Sequence, residues 1–315
     1  MATAAYPGAA GNTAITEAAT FIPEIWSDEV VAAYKKHLVA ANVFKKMSFK
    51  GKKGDTINIP KPTRGAASVK AASTAVTLIA ATETNIPVLI NKHYEYSRFI
   101  EDIVEVQALS SLRRFYTDDA GFALAKQVDG DLTKLFEVFS KVATAGVVGG
   151  TGTAMYEKAV IGSTGTTLYN GGSSNAADIT DAGIRAMILQ LDDADVPMDN
   201  RVMVIPPIVA SDMLAINRYT EQQFIGNGDA IKTGKIGQIY GIDIYVSSAC
   251  PTATSTDRVG AMFHKDALCL AEQVGVRSQT QYKQEYLGDL FTSDTLYGTA
   301  VLRHTAGVAF VVPGT

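Results

Sequence analysis

The residues best suited to chemistry stand apart from one another. The four histidines, His37, His93, His264 and His304, are widely separated, and none has a second ligand one helical turn away. A metal site built on one segment needs that spacing, so each reads as a surface or core histidine. The run GVVGGTG at residues 146–152 looks superficially like a phosphate-binding loop. A dinucleotide fingerprint, however, follows a strand and opens a helix, whereas these glycines follow a helical pattern and precede a loop. A second glycine-rich run, GNGDAIKTGK at 226–235, lacks the Lys-Ser/Thr pair of a Walker loop. No serine stands in a nucleophile-elbow pattern, and neither Cys250 nor Cys269 carries a catalytic signature. The neighbouring carboxylates Asp118 and Asp119, and Asp192 and Asp193, would point about 100° apart on a helix, which suits a solvated face better than acid–base work. No catalytic, cofactor or metal site is expected.

Composition bounds the class of the chain. The 315 residues are 47% hydrophobic and 19% charged, which excludes a disordered chain and allows a large core divided into two or three lobes. No run approaches the 18 or more apolar residues of a membrane span, and the amino terminus lacks a basic start followed by an apolar block. Two cysteines form no disulfide or metal framework and read as buried free thiols of a protein made in a reducing cytoplasm. The net charge of -4 hides an asymmetry. Residues 35–70 hold ten basic side chains, among them Lys52, Lys53, Lys61, Arg64 and Lys70, against the single acid Asp55. That segment is +9 and the remainder -13, a separation that permits a head-to-tail contact between copies. A solvated basic face is the alternative reading. Only Phe44 and Phe49 interleave among these cations, too few for a base-stacking surface, so weak phosphate attraction is all that remains.

The elements that position these residues centre on 106–142, read as one long helix. Val128, Leu132, Leu135, Phe136 and Phe139 recur on one apolar face, while Lys126, Asp131, Lys134 and Lys141 fall on others. Its length would be roughly 55 Å. Gly121 and Gly130 are points where two shorter helices would divide. Upstream, residues 1–20 read as an extended or mobile arm. FIPEIWSDEVVAAYKKHLVAANVF at 21–44 reads as a short amphipathic helix with Ser27 or Asp28 as its cap. Residues 55–59 read as a strand partnered by 83–90, with Pro60 and Pro87 placing both near an edge. The tract between them lacks large side chains and exceeds the usual loop length inside a compact domain. Such a hairpin cannot bury its tip within its own subunit, so it is expected to reach another.

Past a strand-like INKHYEYSRFIED and the long helix, residues 145–177 read as a connector or exposed loop. From Asp178 the pattern is a compact α/β unit. A helix is capped at Thr180 with Ile184, Met187, Ile188 and Leu191 inward; a buried strand spans 201–205; a helix of about three turns follows Pro207; a strand covers 239–246. Residues 258–315 are strand-rich, and the last strand returns the carboxyl end to a sheet.

In this order of elements the sequence resembles the major capsid proteins of tailed bacteriophages, the HK97-type fold. The likeness rests on FIPEIWSDEVVAAYKKHLVAANVF, on KKGDTINIPKP opening the hairpin, on the long helix, on ITDAGIRAMILQLDDADVP through NRVMVIPP to YGIDIYVSS, and on YGTAVLRHTAGVAF. The resemblance implies an α+β chain with an amino-terminal arm and short helix (1–49), an extended hairpin loop (50–90) and a peripheral domain with the long spine helix and connector (91–177). An axial α/β domain (178–290) and carboxyl-terminal strands returning to the peripheral and axial sheets (291–315) complete it. It further implies hexamers and pentamers of an icosahedral virion shell around double-stranded DNA, made in the host bacterial cytoplasm. The implied partners are other copies, a portal protein, a cement or decoration protein and DNA held by weak non-specific contact, with no membrane. A separate scaffolding protein is expected from the short leader. Acids on or just before the helix, Glu101, Asp102, Glu105, Asp118 and Asp119, are candidates for receiving the basic loop of a neighbour. Some family members join subunits through a lysine and an asparagine; Lys61 and Lys70 lie in the corresponding loop, without a local signature selecting either. The alternatives are an encapsulin-type compartment, which shares the fold, and a monomeric α/β enzyme.

Overall fold

A computed structural model describes residues 43–49, 54–61, 65–76, 78, 84–101, 112–139, 156, 159–216, 237–253 and 256–314. Two sheets dominate them. The first has four strands in the order β1 (Lys45–Ser48), β10 (Leu268–Lys283), β11 (Gly288–Val301), β4 (Lys92–Glu101). The second has six: β5 (Val160–Ile161), β12 (Gly307–Val312), β9 (Arg258–His264), β6 (Arg201–Ile205), β8 (Ile242–Val246), β7 (Gln238–Ile239). A two-stranded ribbon, β2 (Thr56–Lys61) with β3 (Thr84–Leu89), is hydrogen-bonded to neither.

The long helix is α1, Leu112–Lys134, continued by a 3-10 turn at Leu135–Val138. Its 23 residues span about 34 Å, and it runs unbroken through Gly121 and Gly130. A Cβ at either glycine would meet nothing within 4 Å, so neither glycine is there to relieve crowding. The expected extensions, 106–111 and 140–142, lie outside the described residues. Leu132, Leu135, Phe136 and Phe139 are buried as their spacing predicts.

Strand β6 is buried at every position, as its unbroken RVMVI requires of a strand covered on both faces. It pairs parallel with β8 and antiparallel with β9. Helix α2, Asp181–Asp193, is capped by Thr180, whose hydroxyl accepts from the Gly183 amide at 3.1 Å and donates to the Ser163 carbonyl at 2.6 Å. Ile184, Met187 and Leu191 are buried. Helix α3, Pro207–Leu214, is eight residues, shorter than the three turns expected.

Three further readings are corrected. The strand expected over 239–246 is a tight hairpin, because Tyr240 (φ 49) and Gly241 (φ 78) turn the chain between β7 and β8. The connector is not wholly exposed: Val160, Ile161 and Tyr169 are buried, and β5 forms the edge of the six-stranded sheet. Tyr169 donates at 2.6 Å to Asp257, itself buried, which ties the loop to the approach of β9. Asp192 is not a purely solvated acid, since the buried Arg201 donates to it at 2.6 Å. The carboxyl end does return to a sheet, as β12. Strands β10 and β11 lie side by side in the four-stranded sheet over 13 residue pairs.

One hydrophobic core joins the two sheets. It runs from the six-stranded sheet through Leu132, Phe136 and Phe139 of the helical segment to Leu268, Leu270 and Tyr297 of the four-stranded one. Phe263 stands at the joint, with ring centroids 5.1 Å from Phe44, 5.7 Å from Phe136 and 5.5 Å from Phe139. A smaller cluster of Val88, Ile90, Cys269 and Ala271, with Ile57 and Ile59 packed on it, pins the base of the β2–β3 ribbon.

Candidate subunit interface

Side-chain alternation gives the four-stranded sheet two different faces. Tyr94, Thr295 and Tyr297 point toward α1. Leu296 and Ala300 point the other way, under the ribbon base. Gly298 makes that second contact close: a Cβ there would collide with the Leu89 carbonyl of β3. The Ile90 amide also donates to the Asp55 carbonyl at 2.7 Å, closing the ribbon where it leaves the sheet. Six residue pairs, from Thr56–Leu89 to Lys61–Thr84, carry it outward. Beyond them residues 65–76 and 78 are all exposed, including Val69 at 101%, Val76 at 66% and Leu78 at 89%. Three bare aliphatic side chains at the end of a pinned ribbon are costly in water and call for cover.

On the helix face the dominant polar group is Asp131. It is buried and accepts from Tyr297 at 2.9 Å, Tyr94 at 3.2 Å and Gln127 at 3.2 Å, with the Lys92 ammonium at 3.1 Å. Burial, and then the nearby carboxylate, push both phenols above their ordinary pKa. The sequence reading places Asp131 on a face other than the apolar one. Its position three residues after Val128 and four before Leu135 places it on the apolar stripe, and that was the available signal. Across the opposite face, Asp294 accepts from Arg277 at 2.7 and 2.9 Å and pairs with His93 at 3.0 Å. Those donors hold its carboxyl down to about 2.

The expected interface residues divide unevenly. Lys61 is exposed at the outer end of β2, and Lys70 is exposed in the tip. Glu101 is exposed at the end of β4, opposite Gly288, and Asp118 is exposed on α1. Asp119 is half-buried and already used within the subunit, accepting from Tyr96 at 3.1 Å. Lys52, Lys53, Arg64, Asp102 and Glu105 lie outside the described residues, as do both glycine runs singled out at 146–152 and 226–235. Among the described residues no group of three or more His, Cys, Asp or Glu side chains is placed to hold a metal. Cys250 and Cys269 are both buried free thiols.

A sheet with a spine helix on one face and a projecting ribbon on the other, joined to a compact α/β unit, defines an HK97-type shell subunit. Comparison with solved structures agrees. The chain superposes on a structure from Mycobacterium phage Che8 with a TM-score of 0.71 and 23% identity, covering 92% of this chain and 97% of that one. It superposes on the capsid of cyanophage P-SCSP1u with a TM-score of 0.71 and 17% identity, covering 94% of each chain. The mature capsid of bacteriophage PhiM1 gives 0.69 and 12%, covering 92% and 91%. No curated protein sequence matches the chain. The sequence model of the phage capsid protein family matches residues 40–308, and the chain belongs to that family. It is a structural, non-enzymatic major capsid protein of a tailed phage, located in the virion shell and associating with its own copies. Neither the enzyme-packaging compartment nor the α/β enzyme is favoured.

Proposed function

We propose that the β2–β3 ribbon is the arm by which each copy grips the next one around a ring, in hexamers and pentamers of an icosahedral shell. The observation that carries this reading is the exposure of every described residue of the tip, 65–76 and 78, beyond a firmly pinned base. Lys61 and Lys70 approach an acidic neighbour surface to which Glu101 and Asp118 contribute, with Lys52, Lys53, Arg64, Asp102, Glu105 and Asp119 as further candidates. Individual contacts are modest, but closure around a ring makes simultaneous release rare. The domain layout follows the same family pattern: arm, extended loop, peripheral domain, axial domain and returning strands. Double-stranded DNA, a scaffolding protein, a portal and a decoration protein are the remaining proposed partners, with synthesis in the host cytoplasm. An acidic chain fits a wall that encloses DNA without gripping it. Deleting residues 66–81 is the direct test. The expected product is a folded subunit that forms no particles; normal particles from the deletion would refute the arm.

A further inference from the structure

In the six-stranded sheet the parallel neighbours β6 and β8 end side by side, with Ile205 level with Val246. Strand β6 continues through Pro206 into α3, whereas the chain leaving β8 must pass the end of β6 to enter β9 on its other side. At that crossing lies a cavity of about 250 Å³, with Pro207, Ile208, Ser247, Ser248, Arg258 and Gly314 in its wall. The crevice outside the carboxyl ends of parallel strands is where α/β sheets commonly hold a ligand.

The wall collects donors that lack acceptors. Helix α3 opens on two prolines with no side-chain cap, and the Ile208 amide meets no acceptor among the described residues. Ser247 is fully buried; its Oγ accepts from the Ala249 amide at 3.1 Å, but among the described residues nothing accepts its own hydrogen. Arg258 opens β9, and counting on from the Val204–Ala261 pair sets it level with Pro207. A Cβ at Gly314 would stand 3.5 Å from its Cγ, so the stem is flanked by backbone. Its guanidinium makes no hydrogen bond or ion pair among the described residues. Among those residues no carboxylate lines the cavity; Asp129, whose charge reaches the Cys250 thiol at one wall, is not part of the lining.

We infer that this cavity binds a terminal phosphate, either inorganic phosphate or a phosphate monoester. An amide at a helix amino terminus, a hydroxyl and a guanidinium are the donors that such an oxyanion takes, and the guanidinium supplies the charge. A phosphodiester of duplex DNA fits the cavity less well, because duplex binding spreads over a row of cations and this wall holds one. An occupied cavity ties together the ends of β6, β8 and β9.

Equilibrium dialysis of the full chain against radiolabelled inorganic phosphate tests the site. A salt concentration of about 0.15 M screens the exposed cations elsewhere on the chain. One saturable site per chain is expected, weakened about tenfold or more by Arg258→Ala, since a hydrogen-bonded charge is lost. A nucleoside monophosphate should compete for it, and duplex DNA without terminal phosphates should not. Absence of saturable binding would overturn the inference, as would undiminished binding by Arg258→Ala or equal competition by the duplex. Should Arg258→Ala not fold, Arg258→Gln keeps most of the stem and carries the same expectation.

Discussion

Tyr297 of β11 donates its phenol hydrogen to Asp131 of α1 at 2.9 Å across 166 positions of sequence. Tyr94 of β4 reaches the same carboxylate oxygen, so one acid anchors two adjacent strands beneath the spine helix. Removing the acid leaves two phenols and the Lys92 ammonium facing a site without an acceptor. Asp131→Ala is therefore expected to cost about 3 kcal/mol. Asp131→Asn keeps one carbonyl acceptor and should cost about half as much. Urea unfolding of the isolated subunit measures both.

The ion pair on the other sheet face sets a response to acid. Asp294 is held down to about 2 by its hydrogen bonds from Arg277 and His93, against about 4 for an ordinary carboxylate. A folded pKa below the unfolded one means that the stabilisation is complete above about pH 4 and is lost as the pH falls toward 2. Asp294→Asn should be less stable than the parent at pH 6 and should show a flatter fall through that window. Thermal unfolding at stepped pH reads the difference.

Gly298 keeps the ribbon seated. Any side chain there strikes the Leu89 carbonyl, so Gly298→Val must lift β3 or distort β11, at about 1–3 kcal/mol. The six-stranded sheet has no part in this contact. Its near-ultraviolet signature should persist while particle yield drops.

Thiol chemistry provides a probe of folding. Burial, reinforced by the nearby Asp129 carboxylate, pushes Cys250 up to about 12, so little thiolate exists at pH 8. Cys269 is raised by burial as well. A disulfide exchange reagent should leave both thiols unmodified in the native protein and titrate two per chain in denaturant.

Much of this architecture was legible in the sequence because strong periodicity and turn chemistry agreed with one another. Thr180 as a cap, RVMVI as a doubly covered strand, and the 55–59 and 83–90 pairing all follow from local rules. What escaped depended on partners distant in sequence. The Tyr240–Gly241 turn needed positive φ at a tyrosine, which propensity does not announce. Val160 and Ile161 are only two residues long, and tertiary pairing with β12 makes them a strand. Asp131 was set off the apolar face because its charge outweighed its position on the wheel. Of the interface, the projecting loop was visible as an oversized tract.

Phe263 remains instructive for what a shell asks of its bricks. Rings from two other stretches of chain, Phe44 near the start of the fold and Phe136 with Phe139 at the end of the helical segment, surround it at the junction of the two sheets. A force applied to the six-stranded sheet meets close-packed aromatic rings there. Pressure from inside a container would flex such a subunit as a single plate. The angular differences between one site in the shell and another would then be taken up at the seams between copies.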